Sequence, residues 1–274
     1  MSIAVCALAL YGSGCSPFSG YHAADDAGVE MSMQQDDSPG ACTHKRVPVR
    51  PQSFDMLSDD GTQELVFAVR EVDFGGDADG GTPYTKLGFD LDGVCTAGGK
   101  HESCKLPSWG MGMNVNDGSE GQDNSVGAFL SFVGNSALGT YSVPEQVTAA
   151  AARGDVTTLI RVTGYNGDTN DPRVSVGVYA ATRPLEAGSD DKRQAPAWKG
   201  SDGWLAFDEW IADPPVAGDA LAPRYSDEHA FVNGWLLVAR FEELRISVGK
   251  LSGAALVATL VPDGKSWKLI DGKI

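Results

Sequence analysis

Oxygen donors crowd one stretch of the chain. Between Lys86 and Gly127 stand Asp90 and Asp92, two residues apart, and then Asn114, Asn116, Asp117, Glu120, Asp123 and Asn124 in a glycine-rich run. On a strand end, Asp90 and Asp92 share one face. Ca2+ takes about six to eight oxygens from carboxylates, amides and backbone carbonyls around a bent loop, so these eight residues form a candidate Ca2+ site. They depart from the EF-hand pattern. Counted from Asn114, Gly118 holds the fifth position and Ser125 stands where the closing Glu belongs. The same letters also describe a run of Asx turns with solvated carboxylates. Cys95 and Cys104 lie inside the stretch, separated by eight glycine-rich residues. A disulfide between them would close a short loop and stabilise the fold by roughly 2–3 kcal/mol. Cys42 is then the odd cysteine, and three pairings are formally open.

A second acidic loop runs from Gly164 through Tyr165, Asn166, Gly167, Asp168, Thr169 and Asn170 to Asp171. Asn166, Asp168 and Asp171 are candidate ligand-binding residues. If this loop and the one at Asn114–Asn124 share an end of the fold, together they could serve an ion or sugar hydroxyls; otherwise they are two independent turns. Trp198, Trp204, Trp210 and Trp235, with Tyr225, flank long loops. Such aromatics either stack on sugar rings or fill the edge of a core.

Catalytic chemistry is thinly represented. His22, His44, His101 and His229 show no pair at a metal-ligand spacing, and Gly134–Gly139 is one residue out from a G-x-S-x-G elbow. Glu71-Val72-Asp73-Phe74 resembles the E-x-D-x-x-E core of laminarinase-like glycoside hydrolases, which are β-sandwiches whose first carboxylate is nucleophile and last is acid. Gly75 and Gly76 follow Phe74, so the acid is missing and no catalytic residue is assigned.

The elements that must position these groups are mostly strands. Short apolar segments at Gln63–Phe74 (with a bulge near Arg70), Tyr84–Leu91, Gly127–Val133, Val156–Thr163, Val174–Ala180, Gly203–Trp210, Gly234–Phe241, Leu244–Val248 and Ala254–Val261 are separated by Gly, Asn, Asp and Pro. One helix is expected over about 143–153. Ser142 and Glu145 have the spacing of a capping box, an alanine run follows, and Gly154 stands at the C-terminal cap. Pro- and charge-rich segments at 183–199 and 213–228 read as long surface loops. The expected fold class is therefore all-β, a β-sandwich or jelly roll with one short helix, formed by a single domain over 53–274. The chain stops within or just after a strand at Asp271–Ile274, which leaves room for a further C-terminal piece.

The N-terminus reads as an address. Ile3–Tyr11 is apolar but too short to cross a bilayer, and Gly12-Ser13-Gly14 precede Cys15. Residues 1–15 resemble a bacterial lipoprotein signal peptide, with Cys15 as the lipidated residue. No Lys or Arg precedes the apolar run, and Gly12 stands where Leu is usual; an upstream start would supply the basic residues. Residues 16–52 are rich in Asp, Ser, Gln and Pro and read as a disordered tether. In it, Lys45, Arg46 and Arg50 either touch anionic head groups or belong to a solvated linker. A net charge of −16 repels nucleic acid, and a structural disulfide fits an oxidising compartment.

Gly88-Phe89-Asp90-Leu91-Asp92-Gly93, Asp123-Asn124-Ser125 with Gly127, the capped helix leading into Asp155–Arg161, and Gly164-Tyr165-Asn166-Gly167 together resemble a group of exported bacterial lipoproteins with no assigned activity. That resemblance covers about Gln63 to Arg240 and implies an extracytoplasmic protein anchored at the outer membrane. The expectation is a surface-tethered binding or envelope lipoprotein without catalysis, held to the membrane through its lipid alone, with an unknown ligand or envelope partner and no nucleic acid. A simply secreted chain, a glycan-active hydrolase and a purely structural envelope protein are the alternatives.

Overall fold

The computed structural model describes residues 44–72, 84–90, 117–118, 120–123, 143–246 and 249–274. These fall into two compact units. One holds 44–47, 84–90, 117–118, 120–123, 246 and 249–253; the other holds 48–72, 143–245 and 254–274. Among the described residues the chain is all-β with one short helix, and its antiparallel sheet curls into a nearly closed, barrel-like layer. Eight strands make it: β1 (Gln63–Ala68), β2 (Thr157–Tyr165), β3 (Asp171–Thr182), β4 (Leu205–Ala206), β5 (Tyr225–Asn233), β6 (Leu236–Ile246), β7 (Gly249–Asp263) and β8 (Ser266–Lys273). Neighbours run β1-β2-β3-β5-β6-β7-β8, with β4 added to β3. The faces that a sandwich would split between two sheets thus belong to one.

The central strands owe their place to alternating β-branched residues. Ile160 pairs with Val178 and Val162 with Val176, and all four are 3% exposed or less. Each such side chain contributes about 1.5–3 kcal/mol by leaving water. On the opposite face Leu159 pairs with Tyr179 and Arg161 with Gly177. That face is covered too, because the segment after Trp210 crosses it. A Cβ on Gly177 would meet Pro223 Cγ at 2.3 Å, and the Tyr179 hydroxyl donates to the Leu221 carbonyl at 2.5 Å. β5, β6 and β7 add Phe231, Val232, Leu237, Phe241, Leu256 and Leu260 to the core, and Phe54 packs edge-on against Phe231.

The helix α1 (Val143–Arg153) ends as its sequence suggests. Gly154 has φ +78; its N–H donates to Ala151 and that of Asp155 to Ala150, the two bonds of a Schellman cap. Ser142 lies outside the described residues. Other boundaries shift. β1 stops at Ala68, and its irregularity lies between Gln63 and Glu64 rather than near Arg70. Of Tyr84–Leu91, Tyr84–Lys86 form a 3-10 turn and Asp90 makes an isolated bridge to Arg46. Two expected strands merge into β6, and β5 begins within the segment expected as a loop.

Candidate functional site

Three turns meet at one end of the sheet: Asn166–Asn170 between β2 and β3, Gly234-Trp235 between β5 and β6, and Gly264-Lys265 between β7 and β8. The antiparallel order forces this, since β2, β5 and β7 all run toward the same end. Local sequence makes each turn tight. Gly234 and Trp235 have φ +61 and +69, the two positive values of a type I′ turn. Gly264 alone is positive in the last turn, as a type II′ turn requires. A tryptophan in left-handed backbone costs on the order of 1–3 kcal/mol unless its surroundings hold it there. Trp235 is so held: its N–H donates to the Thr169 carbonyl at 2.9 Å, and its own carbonyl accepts from Leu260 at 2.8 Å. Asn170 Oδ1 accepts from the Gly234 N–H at 2.9 Å.

A bulge brings the aromatic residues together. Gln63 faces Tyr165 while Glu64 faces Thr163, so Gly164, at φ +76, is the extra residue. It turns Tyr165 off the face that Thr163 and Arg161 share, and Tyr165 is fully buried. Its ring meets Trp267 edge-on at 5.3 Å, and Trp267 lies 5.6 Å from Trp235 with their planes 42° apart. Both tryptophans are half-buried. Gly61 closes against this bulge, where a Cβ would stand 1.9 Å from the Gly164 carbonyl.

The predicted loop residues have divided duties. Asn166 accepts from the Asp168 N–H and donates to the Asn170 carbonyl, which shapes the turn. Asp171 points inward: it is 1% exposed, and its oxygens accept from the N–H groups of Asn166 at 2.7 Å and Arg173 at 3.0 Å. Burial raises its pKa, the two backbone bonds work against that rise, and the charges of Asp59 and Asp60 add to it. The Tyr165 hydroxyl donates to the Asp168 carbonyl at 2.7 Å, and burial first, then Asp171 and Asp168, raises its pKa. Asp168 itself is exposed. Beside this end lies a shallow open depression of about 200 Å3, walled by Asp59, Arg173 and Glu228.

In the other unit, His44–Val47, Asp90 and Glu120–Asp123 are joined by backbone bonds from Lys45 to Glu120, from Asp90 to Lys45 and from Asp123 to Phe89. The Asp90 side chain is fully buried and meets His44 Nδ1, with Arg46 Nε at 3.9 Å. Glu120 faces Lys45 at 3.6 Å and holds Gln122. Asp117 and Asp123 also have partners. Of the basic tether residues, Lys45 and Arg46 are thus engaged with carboxylates, and Arg50 pairs with Asp55 at 2.6 Å. Among the described residues no three His, Cys, Asp or Glu side chains gather around a point that could hold a metal. Cys15, Asp92, Cys95, Cys104, Asn114, Asn116 and Asn124 lie outside the described residues.

Glu71 stands beyond the end of β1 and faces Arg70 at 3.6 Å; Asp73 is outside the described residues. Trp267, in contrast, had no place in the sequence reading. The signal for it was Asp263-Gly264, a hairpin dipeptide, followed by the alternation of Trp267 and Leu269 with Ser266 and Lys268. No family model, curated protein or solved structure matches this chain.

Proposed function

We propose that the chain is a non-catalytic ligand-binding protein of the cell envelope, exported by residues 1–15, lipidated on Cys15 and anchored at the outer membrane, with its ligand met at the three-turn end of the sheet. The observation that carries this is the convergence there of Asp168, Trp235, Lys265 and Trp267, where the β2–β3 and β5–β6 turns hydrogen-bond each other and Trp235 meets Trp267 of β8 at 5.6 Å. Rigidly held loops on a sheet are where binding groups are usually placed, and the mouth of a barrel-like sheet is a common ligand position. The negative net charge keeps such a protein soluble around its anchor.

Two measurements test it. In a bacterial host given labelled palmitate, the wild-type chain takes up label and Cys15→Ser does not; unlabelled wild type refutes the anchor. Purified protein is then mixed with isolated bacterial envelopes and pelleted. Retention by wild type, weakened in an Asp168→Ala, Lys265→Ala double variant, supports the site, and unchanged retention in the double variant removes it.

A further inference from the structure

Four aromatic contacts in the described residues lie away from the hairpin tips or bridge them to the core. Phe54–Phe231 is buried, Trp210–Tyr225 closes over a tryptophan that is 7% exposed, and Trp198–Trp204 sits under the Arg183 guanidinium at 5.6 Å. Tyr165–Trp267 ties the core to the tip. Trp235–Trp267 is different. One ring rises from the β5–β6 turn itself and the other from the second residue of β8, and both keep a solvent-facing part.

Resting on the ligand-binding role proposed above, we infer that Trp235 and Trp267 form the seat for a neutral pyranose ring of a glycan. The second central position of a type I′ turn favours glycine, and nothing lies within 4 Å of where a Cβ on the adjacent Gly234 would be. The turn therefore has no need of a tryptophan for its own conformation, and two backbone bonds, one to Thr169 of the neighbouring turn and one from Leu260 of β7, fix Trp235 in the unfavourable one. What this placement produces is a pair of indoles inclined at 42° rather than stacked. An open angle of that kind offers ring faces to the C–H face of a sugar, an apolar surface with polar edges of the sort tryptophan suits.

Hydrogen-bonding groups flank the rings. The Asp168 carboxylate is exposed and accepts no hydrogen bond among the described residues, and Lys265 is exposed in the adjoining turn. A carboxylate can accept from two neighbouring hydroxyls, and an ammonium can donate to a ring or hydroxyl oxygen. At the same end Asp59 is paired with Arg173 at 3.6 Å and Asp263 with Lys268 at 3.0 Å, and Asp60 and Asp168 outnumber the remaining cation among the described residues, Lys265, a small negative excess that disfavours uronic, sulfated or phosphorylated sugars. Neutral hexose chains are left as the ligand class.

The test titrates the full chain with neutral oligosaccharides (maltohexaose, cellohexaose, chitohexaose) and with an anionic control, polygalacturonate, and follows tryptophan emission. At least one neutral chain saturates the signal in the millimolar range and the control does not. Affinity falls about tenfold or more in Trp235→Gly and in Trp267→Ala, as hot-spot aromatics behave. Trp235→Gly keeps a melting temperature near wild type, because glycine relaxes the turn; Trp235→Asn serves if that variant loosens. Binding of none of the neutral chains, or equal binding by Trp235→Gly, overturns the sugar seat. In that event envelope retention separates the two ideas: wild type still pelleting means a ligand of another class, whereas wild type left in solution removes the ligand-binding role as well.

Discussion

Replacing Asp171 probes the joint that holds the three-turn end. Its two oxygens accept two backbone N–H groups, from Asn166 and Arg173, and hydrogen bonds to a charged group contribute about 1.5–3 kcal/mol each, so about 3–6 kcal/mol together. Against that stands the cost of keeping the anion buried beside Asp59 and Asp60, visible in its raised pKa. The net loss expected for Asp171→Ala at neutral pH is about 2–4 kcal/mol, because the two N–H groups lose their acceptor in a buried place. Urea unfolding followed by circular dichroism reads this as a lower midpoint at unchanged slope.

The pH dependence has a definite sign. A raised folded-state pKa means that the native chain holds a proton the unfolded chain has already released. The stability from this group is complete below the unfolded value of about 3.9 and is lost as pH rises through the folded value. Asp171→Asn keeps one accepting oxygen and removes the titration. The gap in stability between wild type and Asp171→Asn is therefore wider near pH 4 than at pH 7. A gap that is constant, or that widens toward neutral pH, would show that burial does not govern this carboxylate and would refute the account.

Arg161 ties the crossing segment to the sheet, with Glu64 at 2.8 Å and Asp219 at 2.6 Å while its own side chain is 17% exposed. Burial alone would lower its pKa, yet the bonds to Tyr179, Asp219 and Glu64 raise it, so it stays charged. Arg161→Ala is expected to cost about 2–3 kcal/mol, between an exposed pair and a buried one, and to expose residues 211–223 to protease; unchanged unfolding and cleavage would count against the tie. Gly154→Ala puts a Cβ 2.6 Å from both Arg183 Cγ and the Gln194 carbonyl. Gly188 has the same φ of +78 and nothing within 4 Å, so Gly188→Ala should show only the left-handed backbone cost of about 1–2 kcal/mol. Equal losses in the two alanine variants, measured by urea midpoint, would mean that crowding at the helix end is unimportant.

What could be read from the sequence was local. Helix α1 has its alanine run and stop glycine within a dozen residues, and β2 and β3 carry β-branched residues through their length. β5 hid because half of it is polar: Ser226, Asp227, Glu228 and His229 precede the buried trio Ala230, Phe231 and Val232. A strand with one end so polar looks like loop until its neighbours are known. β8 alternates only from Ser266 to Leu269 before Ile270, Asp271 and Gly272 break the pattern, too short a run to mark a strand. The two-sheet expectation and the single curled sheet share the same strand pattern, and only the order of pairing separates them.

The candidate site was half legible for a related reason. Asn166, Asp168 and Asp171 announce a turn by composition, but composition does not say which of them faces water. Register decides that. Gly164 inserts one residue opposite Gln63, and everything after it exchanges faces. Tyr165 goes into the core, Asp171 closes the turn from within, and Asp168 is left outside. Without that residue Tyr165 would stay on the face of Arg161, Trp267 would lose its edge contact, and Trp235 would have no partner held against the core. A glycine with no side chain to offer a ligand thus sets which aromatic and acidic groups one can meet.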